Sequence, residues 1–265
     1  MQFAFSQACH PLVSIRVRQQ YIGPSGEEAA LSMISVVLPT HNRAHFLPGA
    51  IQSVLRQSYQ NFELIVVDDA STDETPDVMR TFSDERLRYI RLPTNRGPSG
   101  ARNAGIREAR ADLIAFLDDD DEYYPQMLER AWALMNSHPS IGFSWCGVRK
   151  VQYRGGVEIA AADGIFVVPV FDDRREAYLR FLRGPRPGSG YGFVVRLKCL
   201  QEIGMFDEEL RSSVDADLFI RLARRYDYRV IPEILVKVRE HRGLRVSRDA
   251  IARITALERI MEKHR

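Results

Sequence analysis

The sequence contains few cysteines and no long apolar run. Its three cysteines, Cys9, Cys146 and Cys199, are odd in number and have no CxxC spacing, which argues against a disulfide framework or a zinc site and suits a reducing cytoplasm. No apolar run approaches the roughly 20 residues of a transmembrane helix, and no basic segment followed by a long apolar one occurs near the N-terminus. We therefore expect a cytoplasmic protein, at most peripheral at the inner face of a membrane.

The sequence also lacks a large excess of charge. The formal net charge is +2 over 265 residues, which argues against a dedicated nucleic-acid-binding protein. Residues 1–32 show no sustained periodicity and predict a disordered N-terminal extension, and Met33, directly before the first predicted strand, is an alternative start to Met1. We expect residues 33–265 to form a single domain with a sizeable core.

From residue 33 onward, short apolar runs alternate with amphipathic segments. Strands are predicted near residues 34–38, 62–67, 87–92 and 112–117, and helices near 44–57, 71–82, 101–109 and 126–137. Strands that alternate with helices across short loops indicate βαβ units and a doubly wound, mostly parallel α/β sheet flanked by helices. Ligands bind beyond the C-terminal strand ends of such sheets.

The stretch Asp112–Pro125, DLIAFLDDDDEYYP, joins a predicted buried strand directly to four aspartates. Two unit charges roughly 6 Å apart repel by about 3 kcal/mol at an effective dielectric of about 20, so a cation is expected to offset the cluster Asp118–Asp121. Mg²⁺ or Mn²⁺, bound through one or two carboxylates together with water and substrate phosphates, fits this chemistry. A solvated acidic turn is the alternative, and this stretch alone supports the two about equally.

Two further polar clusters follow predicted strands, at Thr40–Arg43 and at Asp68–Asp69. Two acidic clusters at one edge of a sheet concentrate negative charge, which a bound nucleotide and metal would explain. One carboxylate of the Asp68–Asp69 pair would accept a hydrogen bond from a base N–H or from ribose hydroxyls. Capping of the next helix is the alternative for this pair.

The segment Asn95–Gly105, NRGPSGARNAG, combines glycines, arginines and asparagines at a predicted loop-to-helix junction. Glycines permit close backbone approach, and a helix N-terminus with arginine nearby suits an anionic or ribose-bearing ligand. The segment is neither a Walker loop nor the GxGxxG dinucleotide fingerprint. A plain turn followed by a surface helix is the alternative.

The second half of the sequence is less regular. Strands are predicted near 142–152 and 165–168, and antiparallel pairing at the edge of the sheet fits because no helix intervenes. The glycine- and proline-rich run Arg183–Gly192 predicts a loop, either a flap over the site or an ordinary linker. A last strand is predicted near 236–241.

The closing segment, residues 247–265, predicts an amphipathic helix. Its apolar side is expected to carry Ile251, Ile254, Leu257 and Ile260. Packing of this helix against the body of the protein is the first interpretation, and contact with a membrane surface or a partner is the second.

Asp215 lies in the first turn of another predicted helix, after the N-cap candidates Ser212 and Ser213. The helix dipole would stabilise a carboxylate there by roughly 0.3–1 kcal/mol, which lowers its basicity. A general base needs the opposite shift, from partial burial or from a like charge such as Asp217. From the residues alone, capping and catalysis are about equally supported, and the lone His241 is more often structural than a ligand.

Four motifs taken together carry a family resemblance. VVLPTHNR, VVDDASTDET, NRGPSGARNAG and FLDDDDEYYP, in this order, resemble the nucleotide-binding half of family 2 glycosyltransferases with the GT-A fold, over residues 33–128. The resemblance implies a nucleoside-diphosphate sugar donor, with a UDP-sugar as the first candidate, a DxD-type metal site and inverting transfer.

The resemblance also implies roles for individual residues by their position in the motifs. The residues expected to bind the donor are Pro39, Thr40, Arg43, Asp68, Asp69, Arg102, Asn103, Asp118 and Asp119. The residues expected to bind Mg²⁺ or Mn²⁺ are Asp118, Asp120, Asp121 and His241, with Asp120 as the direct ligand of the DxD pair.

A second matching pattern lies in the predicted acceptor half, residues 129–246. GMFDEEL followed by VDADLFIRLA resembles the family's acceptor-side pattern GGFDE and EDxDLxxR, in which the Asp matching Asp215 is the catalytic base. Val214 stands where the family usually has Glu, so an acceptor contact is expected to be lost or replaced. The acceptor, whether a sugar, a lipid-linked or a protein-linked molecule, is not implied.

The resulting hypothesis is a metal-dependent inverting glycosyltransferase that acts in polysaccharide or glycoconjugate assembly. Two alternatives stay open. A sugar nucleotidyltransferase would require a glycine-rich phosphate loop after the first strand, which PTHNR matches poorly. A non-catalytic nucleotide-sugar-binding protein or partner subunit is consistent with Val214.

Overall fold

The structure is a computed structural model that describes residues 33–154, 157–168, 171, 173–183, 192–240 and 250–263. The strands are β1 (Ile34–Thr40), β2 (Phe62–Asp68), β3 (Leu87–Arg91), β4 (Leu113–Phe116), β5 (Glu122–Tyr123), β6 (Phe143–Arg154), β7 (Val157–Phe166), β8 (Val194–Arg196) and β9 (Tyr228–Arg239). The helices are α1 (Leu47–Leu55), α2 (Thr75–Arg80), α3 (Gly97–Glu108), α4 (Met127–Ser137), α5 (Arg174–Arg183), α6 (Leu197–Ile203), α7 (Val214–Arg225) and α8 (Ala250–Lys263).

All of these strands belong to one mixed sheet with the order β3-β2-β1-β4-β8-β6-β9-β5, and β7 pairs with β6. Strands β3, β2, β1 and β4 are parallel, as the βαβ pattern predicted. Strand β8 runs antiparallel to both β4 and β6, while β6 and β9 are parallel. The predicted α/β fold class is therefore confirmed.

Strands β1, β2 and β4 are buried on both faces, which explains their largely apolar runs, whereas the edge strand β3 is only partly buried. One face is covered by α1, α2 and α4, which pack on alternate β1 residues such as Val36 and Leu38. The other face is covered by α3 and by α5 to α8, which pack around Val37, Phe116 and Trp145. Because α7 belongs to this second layer, the acceptor-half helix lies over the same sheet as the nucleotide-binding half.

The predicted position of the second-half strands was wrong in two respects. Strand β6 lies inside the sheet, between β8 and β9. Of the two predicted edge strands, only β7, which forms a hairpin with β6, lies outside the main strand order. The core residues Phe143 and Trp145 are fully buried, which an edge strand would not provide. Strand β7 also begins at Val157, earlier than predicted.

Strand β9 begins at Tyr228 and not near residue 236. The strand therefore includes Pro232, although proline removes a donor from the hydrogen-bond ladder. The sheet accommodates Pro232 where the pairing with β6 shifts register on both sides of Gly147. A Cβ at Gly147 would lie 2.9 Å from the carbonyl oxygen of Glu233, so glycine permits this close approach.

The C-terminal helix α8 packs on the body through part of the predicted stripe, since Ile260 is buried and Leu257 is partly buried. Ala256 and Ile260 are buried, whereas Ile254 is 58% exposed. Lys263, one turn beyond Ile260, forms an ion pair with the buried Asp217 of α7. The contacts of α8 therefore run along residues 256, 260 and 263. Within the described ranges, no helix is long and apolar enough to cross a membrane.

Candidate active site

The C-terminal ends of β1, β2 and β4 meet at one rim of the sheet, because these strands are parallel and in close register. Thr40 pairs with Asp68 across β1 and β2, and the Asp69 N–H donates to the Thr40 carbonyl at 2.8 Å. The Thr40 hydroxyl donates to Oδ2 of Asp119 at 2.8 Å. The fold thus brings together the three polar clusters that the sequence placed after these strands.

Two arginines contact the aspartates that follow β4. Arg102 of α3 donates from Nη2 to Oδ1 of Asp118 at 2.6 Å. Arg43 lies 2.7 Å from Asp120 and 3.4 Å from Asp119 through the same Nη1 atom. Burial raises the pKa of Asp119 to about 7, although the charge of Arg43 and the Thr40 hydrogen bond oppose the shift. Burial and the charges of Asp120 and Asp215 also raise the pKa of Asp118, against the effect of Arg102.

Asp121 faces a different neighbour from the rest of the cluster. Its carboxylate is buried and accepts the backbone N–H of Arg239 in β9 at 3.0 Å. Its own N–H donates to the Asp118 carbonyl at 3.1 Å, which closes a turn after β4. The side chain of Asp121 therefore joins this turn to the acceptor half of the sheet.

Asp215 lies in the first turn of α7 and reaches the same aspartate cluster. Its charge acts on both Arg102 and Asp118. Its Oδ1 atom is buried and has no hydrogen-bond partner among the described residues. The N-cap position is Ser213, in the left-handed region at φ 55°, but its side chain makes no capping hydrogen bond. The first turn of α7 thus carries an incompletely satisfied carboxylate toward the rim.

Asp217, one of the two sources that the sequence offered for a raised basicity of Asp215, is paired with cations in the structure. Asp217 is fully buried and accepts from Nε of Arg221 at 2.8 Å, while Lys263 lies 3.2 Å from its other oxygen. Arg221 also donates to the carbonyls of Ile203 and Met205, each at 2.7 Å. Two cations neutralise Asp217, which holds α7 against α6 and α8.

The two acidic residues after β2 have separate partners. Asp68 is fully buried and accepts the Ser71 N–H at 2.7 Å and the Tyr89 hydroxyl at 2.6 Å. Asp69 accepts the backbone N–H of Arg96 at 2.7 Å, at the N-terminus of α3. Burial raises the pKa of Asp69, and the N–H groups of α3 partly offset this shift. Asp69 therefore caps α3, which lies across the rim, and not the next helix α2.

Helix α3 begins at Gly97, one turn earlier than predicted, because Pro98 sits in its first turn. Gly105 serves packing against the sheet, since a Cβ there would lie 2.5 Å from the Val37 side chain. The sequence analysis had instead suggested that the glycines of this segment allow a ligand to approach the backbone closely.

Asn103 is buried and pairs with the segment before α7. Its side chain donates to the carbonyl of Phe206 at 2.9 Å and accepts the N–H of Phe206 at 3.0 Å. It also donates to Glu208 at 2.9 Å. Of the ARN segment, Arg102 faces the aspartates and Asn103 faces this acceptor-half segment.

Some predicted features lie outside the described residues, namely His241 and most of the run 183–192. Pro39 lies in β1 opposite Val67 of β2. The sequence reasoning assigned no role to Glu208, although the motif GMFDEEL contains it, or to His41, whose Nδ1 lies 2.7 Å from the Asp69 carbonyl oxygen. A surface cavity of about 510 Å³ lies between α5 and α7, and none of the predicted site residues line it.

Comparison with known proteins places this arrangement in a family. The model of glycosyl transferase family 2 matches residues 35–187, more than half of the chain. The chain belongs to glycosyl transferase family 2. This confirms the family that the motifs predicted.

Relatives of this family 2 chain include several bacterial proteins. An uncharacterized glycosyltransferase of Rickettsia felis is 33% identical over 207 residues, which cover 78% of this chain and 33% of the relative. One from Haemophilus influenzae is 29% identical over 212 residues, which cover 73% of this chain and 81% of the relative. The putative teichuronic acid biosynthesis glycosyltransferase TuaG of Bacillus subtilis is 36% identical over 117 residues, covering 43% and 46%. The chain spans about a third of the length of the rickettsial relative.

Solved structures with the same fold include S. aureus TarS in complex with UDP-GlcNAc. Its TM-score is 0.65 at 20% identity, and the match covers 81% of this chain and 60% of the TarS chain. The mannosyltransferase PcManGT from Pyrobaculum calidifontis, in complex with GDP-Man and Mn²⁺, has a TM-score of 0.61 at 19% identity and covers 87% and 63%. These matches support the fold of the family 2 chain.

Proposed function

We propose that this protein is a metal-dependent, inverting glycosyltransferase that moves a sugar from a nucleoside-diphosphate sugar to an acceptor hydroxyl. The observation that carries the proposal is the meeting of Asp215, from the acceptor half, with the aspartates that follow β4. Asp215 and Asp118 are distant in sequence, but the charges of both act on Arg102 in the folded chain, and the buried Oδ1 atom of Asp215 has no hydrogen-bond partner among the described residues. A transfer reaction requires the donor and the acceptor to bind next to each other. A catalytic group is therefore expected where the donor half and the acceptor half of the site meet.

The donor would lie along the rim formed by β1, β2 and α3. Thr40, Arg43 and Asp69 present polar groups there, and Pro39 shapes the strand end from which they extend. TarS with UDP-GlcNAc and PcManGT with GDP-Man support a nucleotide-sugar donor. A UDP-sugar is the first choice, because TarS was also solved with UDP.

The residues of the rim fit a divalent cation by charge. Asp118, Asp119, Asp120 and Asp215 carry four carboxylates, whereas Arg43 and Arg102 supply two positive charges in contact with them. No group of three or more His, Cys, Asp or Glu residues in the described ranges is arranged to hold a metal ion. One or two carboxylates would therefore hold Mg²⁺ or Mn²⁺ together with water and the donor phosphates. Asp118 and Asp120 are the proposed ligands.

Asp215 would act on the acceptor. Its carboxylate would accept the proton of the acceptor hydroxyl while that oxygen bonds to the anomeric carbon and the bond from this carbon to the phosphate oxygen breaks. Attack from the opposite face inverts the configuration, and the nucleoside diphosphate leaves. When bound, the cation would stabilise the negative charge of that leaving group.

Other residues of the motifs would hold the elements of the site in place without contacting the substrates. Asp68 and Asn103 have their polar atoms in hydrogen bonds within the protein, and Asp121 binds the backbone of β9. We assign them to holding β2, α3 and the turn after β4 in place.

The relative TuaG is named for teichuronic acid biosynthesis. We extend this to the present protein as a proposed role in assembling a polysaccharide or another glycoconjugate. The acceptor hydroxyl would then belong to a growing glycan or its carrier.

The proposal is tested by incubation with a panel of nucleotide sugars and Mn²⁺. Slow release of nucleoside diphosphate is expected from a transferase, pyrophosphate from a nucleotidyltransferase, and binding without turnover from a sensor. D215N should abolish transfer with donor affinity retained, whereas D227N, an exposed aspartate of the cavity beside α5, should behave like the wild type. Transfer by D215N at a near wild-type rate would refute the assignment of the base.

A further inference from the structure

Three successive acidic residues lie between α6 and α7, in the segment Phe206–Leu210, here called the acidic segment. Asp207 and Glu209 form ion pairs with Arg259 of α8, and Asp207 also pairs with Lys263. Glu208 turns the other way and contacts only residues around α3 in the described part of the chain. The acidic segment is thus held between the C-terminal helix and the donor-side helix.

The Glu208 carboxylate accepts hydrogen bonds from three side chains, two in α3 and one in the residue directly before it. Arg96 Nη2 lies 2.6 Å from its Oε2 atom, and Arg107 Nη2 and Asn103 Nδ2 lie 3.3 Å and 2.9 Å from its Oε1 atom. Burial would raise the pKa of Glu208, but these hydrogen bonds outweigh it and lower the pKa below its ordinary value. The carboxylate therefore stays ionised at neutral pH and binds both ends of α3.

The same two elements are joined beside Glu208 through the backbone. The Asn103 side chain binds both the N–H and the carbonyl of Phe206. The Phe206 ring lies under the Arg102 guanidinium, with 5.5 Å from Cζ to the ring centroid, and packs edge-on against Phe116 of β4. The acidic segment therefore contacts Arg102, which binds Asp118.

The acidic segment leads directly into the helix that carries the proposed base. Leu210 is buried at the end of the segment, and α7 begins at Val214. On the donor side, Arg96 bears the N–H that binds Asp69. Glu208 therefore stands in a continuous series of contacts from Asp69, through Arg96, to the residues before Asp215.

We propose that Glu208 is a positioning residue, which holds the first turn of α7 and its Asp215 in register with the donor-side helix α3. This inference rests on the proposed function and adds to it a residue that touches neither donor nor acceptor. A misplacement of about 1 Å by a change far from the reacting atoms can reduce a rate about 100-fold. Surface ion pairs, in contrast, contribute little to stability, so the effect on turnover should exceed the effect on unfolding.

The test compares E208Q with E209Q, two neighbouring glutamates of which only Glu208 contacts α3. For E208Q we expect kcat to fall about tenfold, with the KM for the donor within about twofold of the wild type. For E209Q we expect both constants unchanged. Equal kcat values for the two variants, or a change confined to KM, would overturn the proposal. The melting temperature of each variant is measured first, and the kinetics are run well below the lowest value.

A second readout does not depend on turnover. Amide hydrogen exchange, followed by mass spectrometry, should be faster in E208Q than in the wild type over residues 205–218, and unchanged there in E209Q. Unchanged exchange in E208Q would reject the positioning role even if the wild type proved inactive. Faster exchange with an inactive wild type would instead support the positioning of α7 and reject the proposed function.

Discussion

Arg102 donates a hydrogen bond of 2.6 Å from Nη2 to Oδ1 of Asp118. The arginine side chain is 7% exposed and the aspartate side chain 33% exposed. Removal of one partner of such a pair leaves a charge with poor solvation. This bond ties α3 to the end of β4, and the charge of Asp215 also acts on Arg102.

We expect R102Q to destabilise the protein by about 3 kcal/mol, because Asp118 and Asp215 lose their shared cation. Urea unfolding of R102Q and of R175Q, an exposed arginine of α5, measures the difference. Mn²⁺ should recover part of the loss in R102Q, since a divalent cation would replace the missing charge. An R102Q protein as stable as R175Q would show that the Arg102–Asp118 ion pair contributes little to the free energy of unfolding.

Asp120 and Asp121 should differ in metal binding, although they are adjacent. In the presence of UDP, we expect D120N to weaken Mn²⁺ binding at least about tenfold, measured by the electron paramagnetic resonance signal of free Mn²⁺. D121N should bind Mn²⁺ like the wild type but melt at a lower temperature, because a neutral amide oxygen accepts the Arg239 N–H more weakly than the carboxylate does. Equal losses of affinity in both variants would restore Asp121 as a ligand.

Glu63 predicts a pH dependence of stability. Burial would raise its pKa, but the Ser35 hydroxyl, the Arg110 N–H and Arg88 outweigh burial and lower the pKa below 4.5. The ionised form therefore favours the folded state. Its contribution to stability is complete above pH 4.5 and is lost as the pH falls from there through the folded-state pKa.

The corresponding variant is E63Q, compared with E85Q on the exposed surface. We expect E63Q to lower the free energy of unfolding by about 1–3 kcal/mol at neutral pH, measured by urea unfolding, and the deficit to shrink as the pH is lowered below 4.5. A deficit that stays constant across this range would mean that the charge of Glu63 is not responsible.

Val214 is 7% exposed and belongs to the apolar cluster on the α7 face of the sheet. Restoring the usual glutamate as V214E should therefore cost on the order of 3 kcal/mol more than the uncharged V214Q, because the new carboxylate would be buried without a partner. Thermal unfolding of the two variants measures this difference. Equal stability would show that a glutamate at this position reaches solvent or the acceptor site.

The N-terminal half of the fold could be predicted with little error. Strands β1, β2 and β4 are buried on both faces and the connections are short, so local patterns were sufficient to indicate that they are parallel and end in a rim of polar residues. The second half could not be predicted from local sequence patterns. Strand β9 contains Pro232, and β6 becomes a central strand through partners at residues 194–195 and 228–239, which no local pattern shows.

The roles of individual acidic residues depended on distant partners. The sequence offered Asp217 as a possible like charge beside Asp215, but Lys263 and Arg221 neutralise it. Asn103 was expected in the donor pocket, yet its amide pairs with Phe206, 103 residues away. A carboxylate or amide has the same local sequence context whether it faces a ligand or a structural partner.

The amino-acid sequence by itself determined the alternation of strands and helices, the parallel half of the sheet and the family, because periodicity and contiguous motifs are local properties of a chain. Only the tertiary structure decided that Asp215 meets Asp118, that Glu208 binds α3 while its neighbours bind α8, and that Asp217 is neutralised. These outcomes depend on which side chains from remote segments are within a few ångströms of each other, and both hydrogen bonds and charge interactions are set by that distance.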